Sequence, residues 1–276
     1  MSPCNHDCAS CAQSCDERKE PQSLLEKLNP HARVQKVIAV CSGKGGVGKS
    51  MVTALLAVAA QKKGLSAAVL DADITGPSIP KMFGVHERAT GDQSGIYPVC
   101  SAGGVQLMSL NLLLENETDP VIWRGPLITG TVKQFWTEVV WDDVDILFVD
   151  MPPGTGDTTL TIFQSLPVDG IVFVSTPQEL VGMIVQKAVH MARQMNLPLT
   201  ALVENMSYFI CPDCGKKHEI FGPGRAQALA DKFHIPATAQ LPLSTDMAAA
   251  ADRGGIEELT LPMLAPVLTQ IEKIQK

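Results

Sequence analysis

The sequence predicts an α/β fold, a mostly parallel sheet with helices on both faces, and three observations carry that prediction. A glycine-rich run, Gly43-Lys44-Gly45-Gly46-Val47-Gly48-Lys49-Ser50, lies between an apolar stretch and an alanine- and leucine-rich helical segment. Beyond it, short apolar runs alternate with helical patterns, the rhythm of crossover units. Two of those runs end in carboxylates, at Asp71 and Asp150, and the C-terminal edge of a parallel sheet is where ligands gather.

The elements follow in chain order. Residues 1–20 hold Cys4, Cys8, Cys11 and Cys15 and too few aliphatic side chains to pack a core of their own. Residues 21–33 read as a linker with a short helical pattern, Ser23 to Leu28, that stops at Asn29-Pro30. Residues 34–276 form the α/β domain. Its strands are expected at Val34 to Val40, Ala67 to Leu70, Val105 to Leu110, Asp145 to Val149, Gly170 to Ser175 and Leu199 to Val203. Helices are expected at Val52 to Gln61, Thr129 to Val140, Thr159 to Leu166, Glu179 to Met195, Gly224 to Phe233 and Glu257 to Ile274.

Composition narrows the function. A chain of 276 residues, 45% hydrophobic, is long enough for one sizeable core with small appendages. The 22 basic and 29 acidic residues give a net charge of −7 with no long basic block, which argues against nucleic acid as a partner. The N-terminal residues lack a basic and apolar signal segment, and no apolar run reaches about 18 residues, so a cytoplasmic protein with no membrane partner is expected.

The glycine-rich run has the spacing of a phosphate loop. Gly43, four residues, then Gly48-Lys49-Ser50 lets backbone N–H groups of Gly45, Gly46 and Val47 wrap a polyphosphate; Lys49 reaches the outer phosphates and the Ser50 hydroxyl meets Mg2+. The following helix would point its N-terminus at the phosphates. Asp150, at the end of Ile146-Leu147-Phe148-Val149, is placed to hold magnesium, and the Pro- and Gly-rich run Met151 to Asp157 after it reads as a switch near the outer phosphate. Asp71 and Asp73 repeat the strand-end pattern. Asn205 follows another expected strand, where its amide suits either an adenine edge or a turn.

The eight cysteines divide into the N-terminal four, the pair Cys211-Pro212-Asp213-Cys214, and the single Cys41 and Cys100, both expected to be packing residues. Two thiolates at this spacing chelate one metal, whereas zinc or an iron–sulfur cluster takes four ligands, so a two-fold dimer would complete the pair. A half-site completed by other ligands and a redox pair are the alternatives.

Lys44 adds a second ammonium to the loop. The Lys-Gly-Gly-Val-Gly-Lys-Ser pattern resembles the deviant Walker A of the MinD, ParA and nitrogenase-iron-protein class. That resemblance implies a homodimer in which Lys44 reaches the partner's nucleotide and stabilises charge in trans, much as an arginine finger does. Asp71 to Pro80, Trp123-Arg124-Gly125-Pro126, Asp150 to Asp157, Glu204-Asn205-Met206-Ser207 and the cysteine pair, in that order, resemble the Mrp/Nbp35 family of iron–sulfur cluster carrier ATPases over Val34 to Lys276. The resemblance implies a P-loop ATPase that uses ATP and Mg2+. It would hold a [4Fe–4S] cluster between subunits on Cys211 and Cys214 and pass it to apo iron–sulfur proteins. It also implies that Asp73 orients the attacking water, that Asp71 lies near the metal and that Asn205 contacts the base.

Some members of that family carry a four-cysteine N-terminal site. The spacing here, Cys4-x3-Cys8-x2-Cys11-x3-Cys15, departs from theirs and from the ferredoxin run, and a second cluster or zinc is expected there. A MinD- or ParA-like switch and an electron-transfer ATPase like the nitrogenase iron protein are the rival functions.

Overall fold

The computed structural model describes residues 24–74, 78–114, 125–154, 156–177 and 183–275. The cysteine-rich segment 1–20, Trp123 and Arg124 lie outside the described residues. In chain order the elements are β1 (Val34–Ser42), α1 (Lys49–Lys62), β2 (Ala67–Asp71), α2 (Ile79–Met82), β3 (Thr90–Asp92), β4 (Gly95–Tyr97), β5 (Val99–Cys100), β6 (Gln106–Met108) and α3 (Gly125–Thr137). They continue with β7 (Val144–Asp150), α4 (Asp157–Ser165), β8 (Gly170–Ser175), α5 (Met183–Gln194), β9 (Leu199–Ile210), β10 (Lys217–His218), α6 (Ala226–Phe233), β11 (Thr238–Pro242), α7 (Thr245–Asp252) and α8 (Ala265–Glu272).

The main sheet runs β10-β9-β8-β1-β7-β2-β6-β5, with β11 also paired to β9. Every pairing from β6 to β9, and that of β11 with β9, is parallel; the short edge strands β5 and β10 are antiparallel. Side chains of β1 alternate between two cores, as a strand covered on both faces requires. Val37, Ala39 and Cys41 face a cluster with residues of α3, α4, α5 and α6. Ile38 and Val40 face the opposite cluster with α1, α2, α7 and α8. This is the expected doubly covered sheet. Among the described residues no helix is long and apolar enough to cross a membrane.

Four local expectations need correction. The short helix expected within 23–28 is absent over its described part, 24–28. There Glu26 spends its backbone on other elements: its N–H donates to the Ser165 carbonyl at 2.8 Å and its carbonyl accepts from Trp136 Nε1 at 3.1 Å. The expected helix from Glu257 to Ile274 is broken into single 3-10 turns at Ile256–Glu258 and Pro262–Leu264 before α8, since Pro262 has no N–H to continue a helix. Strand β9 does not stop at Val203 but runs through Asn205 to Ile210. Cys100 is exposed on β5 and belongs to neither core, whereas Cys41 is buried inside β1.

Candidate functional site: a phosphate loop and a cysteine hairpin

The phosphate loop leaves β1 at the centre of the sheet and ends at Gly48, the residue before α1. Gly48 has φ +80°, and a Cβ there would lie 2.3 Å from Asn205 Nδ2. Both left-handed backbone and close approach therefore demand glycine. Helix α1 carries no side-chain cap and no acidic residue in its first turn, so its N-terminal N–H groups stay available to an anion. Lys44, Gly45 and Gly46 are exposed, Gly43 and Gly48 half-buried and Val47 buried, with Ser42 Oγ donating to the Lys44 carbonyl at 3.0 Å.

Parallel register brings the carboxylates to this loop. Asp71 at the end of β2 pairs with Asp150 at the end of β7, and Asp150 with Val40 of β1. Lys49 Nζ lies 2.8 Å from Asp150 Oδ1 and 3.4 Å from Asp73 Oδ2. Ser50 Oγ donates to Asp150 Oδ2 at 2.5 Å, and Thr53 Oγ1 is 2.7 Å from Asp150 Oδ1. Asp71 accepts from the Asp73 N–H at 3.2 Å and from Ser109 Oγ at 3.0 Å. The structure thus gathers Lys49, Ser50, Asp71, Asp73 and Asp150 at one sheet edge. Thr53 and Ser109 join them unannounced by any motif; a hydroxyl at i+4 from Lys49 on the buried face of α1 was the signal for Thr53.

Electrostatics follow from this packing. Burial alone would lower the Lys49 pKa, but Asp150 and then Asp73 outweigh it and hold the ammonium above its ordinary value. Burial, reinforced by Asp150, pushes the Asp71 carboxyl well above the usual carboxylate range. Burial also pushes the Cys41 thiol up to about 12, which suits a packing residue.

An open cleft of about 370 Å³ adjoins the loop, lined by Lys44, Lys49, Ser50, Asp73, Lys81 and Asp252 among others. The oxygens of Ser50 and Asp150, side by side, fit a small hard cation. Asn205 lies against the loop, where its buried amide donates to the Val47 carbonyl at 2.9 Å.

The cysteine pair sits elsewhere on the same edge, at the turn joining β9 to β10. Cys211 N–H donates to the Lys216 carbonyl at 3.0 Å and Gly215 N–H to the Cys211 carbonyl at 2.9 Å. Lys217 Nζ lies 4.4 Å from the centre of the Tyr208 ring and braces the hairpin. Backbone N–H groups of Cys214 and then Asp213 turn toward the Cys211 sulfur and lower its pKa, so the thiolate is favoured. Among the described residues no cluster of three or more potential metal ligands forms. Cys4, Cys8, Cys11 and Cys15 lie outside the described residues.

Residues 33–274 match the ParA family model described as NUBPL iron-transfer P-loop NTPase. The chain belongs to this family. Curated relatives of this NUBPL-type chain include the iron-sulfur cluster carrier protein of Clostridium perfringens, 43% identical across 91% of this chain and 93% of that protein. The carrier protein of Methanocaldococcus jannaschii is 40% identical across 92% and 90%. Among solved structures, the nucleotide-binding protein of Archaeoglobus fulgidus in complex with ADP superposes with a TM-score of 0.76 at 40% identity, over 88% of this chain and 93% of that one. The cell division ATPase MinD of Pyrococcus furiosus, at TM-score 0.61 and 18% identity over 87% and 99%, shares the fold alone.

Proposed function

We propose that this NTPase binds and hydrolyses ATP with magnesium and carries a [4Fe–4S] cluster as cargo, holding it between two copies of the chain and transferring it to apo iron–sulfur proteins. The observation that carries the reading is the Cys211/Cys214 turn. It presents two thiols, one with its thiolate favoured by backbone N–H groups, and lacks a further ligand among the described residues. Two thiolates fill half the cysteine sites of a four-iron cluster, and a two-fold partner supplies the same pair again. The carrier relatives, matched over nine-tenths of their length, support the same cargo.

In the nucleotide cleft, Lys49 and the N–H groups of the loop bind the outer phosphates, and Ser50 with Asp150 would hold Mg2+, which neutralises phosphate charge. Lys49 must release Asp150 and Asp73 to do so. Asp73 then orients the water, and the exposed Lys44 serves the nucleotide of the second copy. Cys4, Cys8, Cys11 and Cys15 would hold a second cluster or zinc.

Anaerobic reconstitution with iron and sulfide tests this, with iron and sulfide counts and Mössbauer spectra on the intact chain and on a variant lacking residues 1–20. One four-iron cluster per truncated dimer, with more in the intact chain, is the expected result. Zinc in place of iron in both forms overturns the carrier reading.

A further inference from the structure

We propose that Glu204 is a positioning residue that ties the Cys211/Cys214 turn to the phosphate loop through β9, so that nucleotide occupancy alters the reactivity of the two thiols. The inference rests on the reading that the loop and the turn are the working sites of this chain.

Strand β9 is continuous from Glu204 to the turn, but it is not regular. Opposite β11, Glu204 pairs with Gln240 while Tyr208 pairs with Pro242, so residues 205–207 stand against Leu241 alone. Within this bulge Met206 adopts φ +55°, a left-handed conformation that an unbranched L-residue keeps only where its surroundings fix it. Two anchors fix it. On one side Asn205 Nδ2 donates to the Val47 carbonyl of the phosphate loop at 2.9 Å.

On the other side is the Glu204 carboxylate, which is 2% exposed. Its Oε1 accepts from Ser207 Oγ at 2.6 Å and from Gln240 Nε2 at 3.0 Å, and its Oε2 accepts from the Arg225 N–H at 2.9 Å. Arg225 closes the segment by which the chain returns from the cysteine turn. Gly224 is pressed on the same group: a Cβ there would lie 2.0 Å from Gln240 Nε2 and 2.5 Å from Glu204 Oε1. Glu204 therefore fastens the returning leg to β9, which is the outgoing leg, and its neighbour fastens β9 to the loop.

Phosphate binding acts on the backbone of residues 45–48. A displacement there has little slack, because Asn205 fills the space where a Gly48 side chain would be. The displacement is passed to the bulge and from it to both legs of the hairpin. A buried carboxylate with three donors makes this a stiff connection, since each lost partner leaves a buried polar atom unsatisfied.

The experiment uses the full chain, reduced and free of metal, under anaerobic conditions. Alkylation of Cys211 and Cys214 by N-ethylmaleimide is timed by peptide mass spectrometry with and without magnesium and a non-hydrolysable ATP analogue, at matched oligomeric state by light scattering. In the unaltered chain the analogue changes the rate about fivefold or more. In Glu204→Ala that response is lost while the analogue's Kd stays within about threefold, the additivity expected of a residue outside the binding site. Glu204→Gln restores the response, because its Oε1 accepts from Arg225 and its Nε2 donates to Gln240 once that amide turns.

If Glu204→Ala does not fold, Gly224→Ala, whose Cβ pushes Gln240 and Glu204 apart, carries the same expectation. An unaltered chain with no response, or a Glu204→Ala chain that keeps it, overturns the inference. Loss of analogue binding along with the response, in both alanine variants, also overturns it by giving Glu204 a structural role. Iron counts on the reconstituted chain are a separate reading: no cluster with the thiol response intact defeats the carrier function alone.

Discussion

The Ser50 hydroxyl donates to Asp150 Oδ2 at 2.5 Å while Lys49 Nζ holds the other oxygen of the same carboxylate at 2.8 Å. Two residues assigned to magnesium and one assigned to phosphate thus satisfy each other within one buried cluster. Nucleotide entry exchanges partners rather than filling a bare cavity, and the loop stays folded around its charges in the meantime.

That exchange gives Lys49 two measurable roles. Lys49→Ala leaves Asp150, Asp71 and Asp73 beside one another without their cation. We expect a loss of about 3–5 kcal/mol in denaturant unfolding at neutral pH, the cost of stripping one partner from a buried pair. Because the folded state holds the Lys49 ammonium above its ordinary pKa, the stability linked to this group is full at neutral pH and is lost as pH rises through the raised value. ATP binding by calorimetry should disappear. An unchanged denaturation midpoint contradicts the ion-pair account.

Asp71 makes the opposite contribution. Burial and Asp150 raise its folded pKa, so the folded state binds the proton more tightly than the unfolded chain does. Stability linked to this group is full below the ordinary carboxylate pKa and is lost as pH rises through the raised one. Asp71→Asn removes the charge and retains the partners, accepting from the Asp73 N–H and donating to Ser109 Oγ. Its thermal midpoint should exceed that of the unaltered chain at pH 7 to 8, and the advantage should vanish on acidification. A lower midpoint at pH 8 refutes this sign.

Much of this site was legible because its signals are local. The loop spacing, the apolar strand before it and the aspartates at the ends of β2 and β7 each lie within a few residues of one another. Thr53 and Ser109 were not, since their partners Asp150 and Asp71 are brought to them by sheet register. Asn205 reads as following a strand because an asparagine there suits a turn; in the structure β9 continues, and the left-handed Met206 marks a bulge that neighbours on both sides hold in place. The C-terminal break was written in Pro262 and Pro266 and was overridden by the apolar periodicity around them.

The roles proposed for Lys44 and Asp73 predict that binding and turnover separate. Lys44 is exposed, and its proposed target is the nucleotide of a second copy. Lys44→Ala should leave the ATP Kd within a few-fold and lower steady-state hydrolysis about 10³-fold, the scale of a charge supplied in trans. Asp73→Ala should likewise bind ATP and hydrolyse it slowly. Normal turnover in either variant removes that residue from the catalytic step.

The cysteine turn is tested by removing both sulfurs. Cys211 is partly exposed and Cys214 exposed, and neither side chain packs in the two cores, so Cys211→Ala with Cys214→Ala should unfold at the same temperature as the unaltered chain. After reconstitution it should lack the four-iron cluster that a chain without residues 1–20 retains, and sedimentation should show a weaker dimer. The intact turn has its own signature: because the Cys214 and Asp213 N–H groups favour the Cys211 thiolate, the midpoint of its alkylation rate against pH should fall below that of a free cysteine peptide. A double variant of the tail-deleted chain that still holds four irons would place the cargo elsewhere, and would do so whatever the pH profile of Cys211.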